Sequence, residues 1–290
     1  MWVTVATPEE VAALRAAGSF PLHKTRKGGI EALALAPDAP GLVASAGGDG
    51  SVQLYDVTAT RSVAELLGHT KRVTGVAFAG SARVVLSASA DHTVRVWRAA
   101  DEGYAQAAAV DAGAEVVAVA AHPTCPYAVS AAADGSWALD DVEEGARLAT
   151  VRDEEAAAYS TAALHPDGLI LVTGTTEGAV RVWETRTQKR VAAFGEHSGA
   201  IAGVSFSENG YHMATAAADG VRLWDLRKLK NFATLTPFGE NVPATCVSFD
   251  HSGLYLAVGG PEGTHAVRFG PDAKSLLVGA SDHNLRYFTL

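Results

Sequence analysis

The chain has 290 residues, 48% of them hydrophobic, and a formal charge of −9. This is enough apolar material for one large or two ordinary cored domains, and the acidic balance argues against nucleic-acid binding across a broad basic surface. No apolar run reaches the roughly 18 residues of a membrane span, and no basic stretch with an apolar core behind it opens the chain, so no signal peptide is read. Cys125 and Cys246 are too few for a disulfide framework or a zinc cluster. Both stand in apolar runs and are expected as buried free thiols.

In chain order, the only helix signal comes first. Thr7 can cap, Pro8 suits the first helical position and Glu10 completes a capping box, so "PEEVAALRAA" (8–17) is expected as a short helix. Residues 1–17 are read as an extension and 18–290 as one domain. "GSFPLHK" (18–24) reads as a strand, and "KTRKGG" (24–29) as a cluster of the nuclear-import kind, a motif with a high false-positive rate.

One phrase then recurs: "DGSVQLYD" (49–56), "DHTVRVWR" (91–98), "DGSWALDD" (134–141), "EGAVRVWE" (177–184), "DGVRLWD" (219–225) and "DHNLRYFT" (282–289). An acidic residue opens a turn, alternating apolar residues follow, and a large side chain usually closes. The closing positions are Tyr55, Trp97, Asp140, Trp183, Trp224 and Phe288, spaced 42, 43, 43, 41 and then 64 residues apart. The regular value lies in the ~40–45-residue range of WD-type propeller blades. Each unit also holds an alternating strand, such as "VTGVAF" or "IAGVSF", and one of small apolar residues, such as "VVLSASA" or "HMATAAA".

The phrase brings hydroxyl, imidazole, carboxylate and indole together. His69, Ser87, Asp91 and Trp97 form one set; His197, Thr215, Asp219 and Trp224 form a second. An indole N–H can donate to the hydroxyl, the hydroxyl to imidazole, and imidazole to carboxylate, which satisfies polar groups buried between strands. The alternative, a Ser-His-Asp nucleophile, needs one assembled site rather than several decaying copies. The copies do decay: the unit of Trp183 has Thr173 and Glu177 but no matching histidine, and Asp140 stands where an aromatic is expected. His122-Pro123 and His165-Pro166-Asp167 fall at turns, where turn chemistry accounts for them without catalysis or metal. No catalytic residue, metal ligand or cofactor is assigned.

Near the end the period breaks. First strands end around Leu35, Phe78, Ala121, Leu164, Phe206, Phe249 and Phe269, and the last two are only 20 residues apart. The expected fold is all-β: a seven-bladed propeller with a truncated sixth blade lacking about 22 residues, its last blade closed by the N-terminal strand.

The stretches "HPDGLILVTGTTEGAVRVWE", "HSGAIAGVSFSENGYHMATAAADGVRLWDLRKLKNFATL" and "DHNLRYFTL" closely resemble the C-terminal WD-repeat propeller of the pre-mRNA-processing factor 19 family, over about residues 18–290. The resemblance departs at 261–264 and at the turn of "AADGVRLW". It implies a U-box E3 ubiquitin ligase family whose propeller recruits substrates and spliceosomal partners in the nucleus and acts in DNA-damage responses, and whose coiled coil forms a homotetramer. This stretch of sequence itself shows neither U-box nor heptads. A general WD-repeat scaffold outside splicing is the alternative. The expected partners are proteins, with local RNA contact open. Lys71 and Arg72, and on the opposite face Arg227, Lys228 and Lys230, are the candidate partner-binding cations, each weighed against an ordinary solvated charge.

Overall fold

The computed structural model describes residues 14–23, 28–155, 158–195, 197–240, 242–261, 263–270 and 274–289. Among them there are 26 strands and no helix. β1 (Arg15–Pro21) precedes the first repeat. Five four-stranded antiparallel blades follow: β2 (Ile30–Ala36), β3 (Ala39–Gly47), β4 (Ser51–Asp56) and β5 (Arg61–Leu67); β6 (Val73–Phe78), β7 (Val84–Ser89), β8 (Thr93–Ala99) and β9 (Tyr104–Asp111); β10 (Val116–Ala121), β11 (Tyr127–Ala132), β12 (Ser136–Asp141) and β13 (Ala146–Arg152); β14 (Tyr159–Leu164), β15 (Ile170–Thr175), β16 (Val180–Glu184) and β17 (Lys189–Phe194); β18 (Ile201–Phe206), β19 (His212–Ala217), β20 (Gly220–Asp225) and β21 (Lys230–Leu235). β22 (Cys246–Phe249) and β23 (Leu256–Gly259) form a two-stranded sheet. β24 (Thr264–Phe269), β25 (Ser275–Ala280) and β26 (Asn284–Thr289) make the last blade with β1, which pairs antiparallel to β26 with Phe20 opposite Leu285.

The first strands β2, β6, β10, β14, β18, β22 and β24 neighbour one another in that order, and β24 returns to β2, closing a ring. The second strand of each blade is covered on both faces by adjacent blades. It therefore reads as small, fully buried residues, as in Ser87, Ala88 and Ser89, where a hydroxyl is allowed only if it finds a partner. Outer strands face water on one side and alternate, as β13 does. The tryptophans lock blade to blade. Trp97 packs with Ala44, Val52 and Leu54 of the preceding sheet, Trp137 meets Trp183 at 6.0 Å, and Trp224 stacks on Phe194 at 4.7 Å. The acidic turns each need a left-handed residue, supplied by Gly50 (φ 83°) in the first blade and by His92 (φ 72°) in the second.

Three expectations are corrected. The ring has six four-stranded blades, not seven: the segment between β21 and β24 stops after two strands, because the residues that would form a third and an outer strand are missing before β24 begins. The N-terminal helix is not present among the described residues. Thr7, Pro8, Glu10 and the first part of the 8–17 stretch lie outside them, and residues 15–17 are strand, because β26 offers them an open edge to pair with. Cys125 is exposed, in the turn between β10 and β11, whereas Cys246 is buried. Lys24, Arg26 and Lys27 of the basic cluster also lie outside the described residues.

Candidate functional site

In the second blade the polar set assembles along one line. Trp97 on β8 donates its indole N–H to Ser87 Oγ on β7 at 2.8 Å. Ser87 Oγ lies 2.7 Å from His69 Nε2, and His69 Nδ1 lies 2.9 Å from Asp91 Oδ2. A carboxylate only accepts, so Nδ1 carries the proton and Nε2 accepts from the serine hydroxyl. Asp91 also receives the backbone N–H groups of Thr70 and Thr93 and the Thr93 hydroxyl. Burial alone would push the Asp91 carboxyl up; the bonds from Thr93, Thr70 and His69 outweigh it and hold the group well below the usual carboxylate range. Burial pushes His69 down, and Asp91 offsets only part of that, so the imidazole is neutral near pH 7.

The fifth blade repeats the geometry. Trp224 donates to Thr215 Oγ1 at 2.9 Å, Thr215 lies 2.7 Å from His197 Nε2, and His197 Nδ1 lies 2.5 Å from Asp219. Arg222 adds a contact to Asp219 at 3.1 Å. A third copy was missed by the sequence reading. His23, 4% exposed, places Nε2 2.9 Å from Ser45 Oγ and Nδ1 3.1 Å from Asp49, in the first blade, with Tyr55 in the tryptophan position.

Two blades solve the same burial differently. In the fourth, Trp183 still donates to Thr173 at 3.1 Å, but buried Asp153 takes the carboxylate role, near Arg181 (3.4 Å), Arg190 (3.5 Å) and the Tyr159 hydroxyl (3.5 Å). Glu177 contributes no such contact among the bonds seen; its turn is held by Thr175 and Ala179 instead. In the third, Asp140 stands opposite Ala128, where Trp97 of the second blade stands opposite Val85. Arg147 Nε donates to it at 2.8 Å, and Ser130 at 3.0 Å.

This arrangement is not a nucleophile with access to substrate. Ser87, Thr215 and Ser45 are fully buried, their hydroxyls are engaged by imidazole on one side, and Ser87 and Thr215 by indole on the other. His122 and His165 serve turns: His122 Nδ1 accepts the Cys125 N–H at 3.1 Å, and His165 Nδ1 the Asp167 N–H at 3.2 Å. Among the described residues no group of three or more His, Cys, Asp or Glu side chains could hold a metal ion.

What faces solvent is a rigid ring of loops. Lys71 and Arg72 are exposed on the face of the Asp91 and Asp219 turns, and Arg72 pairs with Glu115 at 2.7 Å. Arg227, Lys228 and Lys230 lie on the opposite face, also exposed. Arg227 pairs with Asp225 at 3.0 Å and lies 4.7 Å over the Tyr211 ring, and its pairing holds Asp225 down to a pKa of about 2. Beside it runs an open groove of about 650 Å³ between the fourth and fifth blades, with Tyr211, Val191, Leu229 and His165 on its walls. The structure thus keeps the two basic groups apart.

The WD domain, G-beta repeat family matches residues 16–56, 60–98, 148–184 and 188–225, together just over half of the chain. The unit it passes over between residues 98 and 148 is the one where Asp140 replaces the aromatic. The chain is 39% identical over 314 residues to Pre-mRNA-processing factor 19 of Oryza sativa subsp. japonica, covering 98% of the chain and 59% of that protein. It is 42% identical over 301 residues to Pre-mRNA-processing factor 19 homolog 2 of Arabidopsis thaliana, covering 94% and 56%. It is 37% identical over 306 residues to Pre-mRNA-processing factor 19 of Homo sapiens, covering 98% and 60%. The chain spans about three-fifths of the length of these relatives.

Proposed function

The chain belongs to the WD domain, G-beta repeat family, and from its kinship with the Pre-mRNA-processing factor 19 proteins we propose that it is a protein-recognition propeller working in pre-mRNA splicing. The carrying observation is that identity of 37–42% to relatives that bear this one name runs through 94–98% of this chain. The polar networks support recognition rather than chemistry, since they are spent inside the blades and stiffen the loops that partners meet.

The finer reading is that this propeller recruits spliceosomal proteins and ubiquitylation substrates to a U-box E3 ligase in the nucleus, with a part in DNA-damage responses. Its support is the resemblance alone, and no residue of this chain is given a role in ubiquitin transfer. Lys71 and Arg72 on one face, and Arg227, Lys228 and Lys230 on the other, are the proposed partner contacts. Their support is exposure and charge.

A tagged chain incubated with nuclear extract tests this. Splicing proteins should co-purify, and Lys71→Glu/Arg72→Glu or Arg227→Glu/Lys228→Glu should remove a subset of them. Recovery of other proteins without splicing factors would favour a general WD-repeat scaffold.

A further inference from the structure

Near the end of the first strands, one residue from each lies at a common level on the wall of the ring's central channel. The β-ladder registers put Ala34, Ala77, Ala120, Ala163, Ser205 and Ser248 at this level, opposite Ala44, Leu86, Val129, Val172, Ala214 and Ala257 of the second strands. In β24 the equivalent residue, opposite Leu277, is Arg268. All seven line the central channel, which encloses about 770 Å³. Six small residues leave the axis open, and one guanidinium stands in it.

Among the described residues that guanidinium has no counter-charge. Its hydrogen bond among the described residues is a long one, 3.4 Å, to the carbonyl of the adjacent Val267, and no described carboxylate lies within 4 Å of it. Desolvation by the surrounding ring lowers its pKa, and the neighbouring titratable group is the Cys246 thiol, not an acid. Water still reaches it along the channel. Arginine stays protonated even so, and a cation that opens on a channel without an ion-pair partner among the described residues attracts an anion.

We propose that the channel is an oxyanion site in which Arg268 receives the carboxylate or phosphate of an acidic residue from a partner polypeptide. The two mouths differ. At the end where the first strands begin, Glu115 and Glu31 lie beside Arg72 and offset its charge, so this mouth offers an anion no unpaired guanidinium. At the other end the channel wall includes Leu35, Leu164, Phe206, Phe249 and Phe269, with Phe78 of the same level buried between blades. Arg268 is one residue, about 3.3 Å, from this apolar mouth. The fitting ligand is an acidic residue flanked by aromatic or aliphatic ones, inserted from the apolar side. This rests on the recognition reading only in taking a polypeptide as the source of the anion.

The test is calorimetric titration of the whole chain at low salt with four probes: inorganic phosphate, the capped peptide Phe-Glu-Phe, its neutral counterpart Phe-Gln-Phe, and a short oligouridylate. Phosphate and Phe-Glu-Phe should bind, the peptide more tightly, and Arg268→Gln should weaken both about tenfold or more. Phe-Gln-Phe and the oligouridylate should not compete. Arg268→Lys keeps the charge but not the planar fork, and should weaken the peptide about threefold; it carries the test if circular dichroism shows that Arg268→Gln is unfolded. Binding indifferent to Arg268 overturns the site. Arg268-dependent phosphate binding without peptide binding, or with tighter oligouridylate binding, overturns the polypeptide source. Neither result bears on whether splicing proteins are recovered from extract.

Discussion

Trp97 and Ser87 are ten residues apart on adjacent strands and are joined by an indole-to-hydroxyl bond of 2.8 Å. The same bond joins Trp183 to Thr173 and Trp224 to Thr215. It survives in the fourth blade, where no histidine completes the set. The two halves of the network persist independently, since the fourth blade keeps the indole–hydroxyl link without a histidine and the first keeps His23 and Asp49 without a tryptophan. The histidine–aspartate half ties the loop ahead of the first strand to the acidic turn.

His69→Ala should cost about 2–4 kcal/mol of unfolding free energy, because it removes the acceptor of the buried Ser87 hydroxyl and the imidazole donor to Asp91, and opens a cavity between them. Ser87→Ala removes one neutral hydroxyl and should cost about 1–2 kcal/mol. Urea denaturation followed by tryptophan fluorescence measures both. A His69→Ala variant as stable as the parent would remove the network from the account of what holds the second blade.

The ring of blades was legible because each unit repeats its own spacing, and what escaped did so for local reasons. His69 and His197 precede their hydroxyl partners by 18 residues, whereas His23 precedes Ser45 by 22. The longer loop before the first blade hid the third copy. Asp140 was visible as a lost aromatic, but its rescue by Arg147 depends on β13 lying beside β12, which no spacing announces. The capping box before residue 15 was genuine local chemistry, yet at residues 15–17 it lost to the unpaired edge of β26. Counting first strands suggested seven blades, because a first strand does not reveal whether outer strands follow. The isolated Arg268 was invisible until the registers set it beside six small residues.

Arg147→Ala should destabilise by about 3 kcal/mol. Asp140 is 3% exposed, and this change leaves a buried carboxylate with only Ser130 as donor. The double variant Asp140→Ala/Arg147→Ala should recover a large part of that loss, since it removes the stranded charge as well. Guanidinium denaturation of the two single variants and the double variant completes the cycle. A single Arg147→Ala loss under about 0.5 kcal/mol, the range of an exposed pair, would show that the two side chains are solvated rather than coupled.

Deleting residues through Pro21 should open the ring. β26 would lose its ladder partner, and Tyr55 would lose the Phe20 ring at 4.8 Å. The lost packing is worth about 3 kcal/mol, and the bared edge should draw chains together. Size-exclusion chromatography should show concentration-dependent association, and thermal unfolding should come earlier. A truncated chain that stays monomeric with unchanged unfolding would mean that β1 contributes nothing to closure.

Stability should fall with acid in two stages. His69 has an ordinary value of 6.5, and burial sets its folded value lower. As the pH falls below 6.5 the unfolded chain takes up the proton first, so stability is complete above that value and declines until the folded value is passed. His212 acts in the same sense, also through burial. The second stage belongs to Asp49, Asp91 and Asp219, whose ordinary value is 3.8. Burial raises each, but hydrogen bonds from His23 and Ser51, from Thr93, Thr70 and His69, and from His197 and Arg222 lower them further. Their contribution is complete above about pH 4 and is lost below it. Each proton of difference gives a slope of at most about 1.4 kcal/mol per pH unit. Urea midpoints should hold steady from about pH 8 to 7, drift down toward pH 5 and drop steeply below pH 4. His69→Gln, unable to titrate, should flatten part of the first drift and shrink the second, since Asp91 loses its imidazole donor. Midpoints that climb as the pH falls from 7 to 5 would mean that the histidines gain protons on folding, which the neutral imidazole accepting from Ser87 forbids.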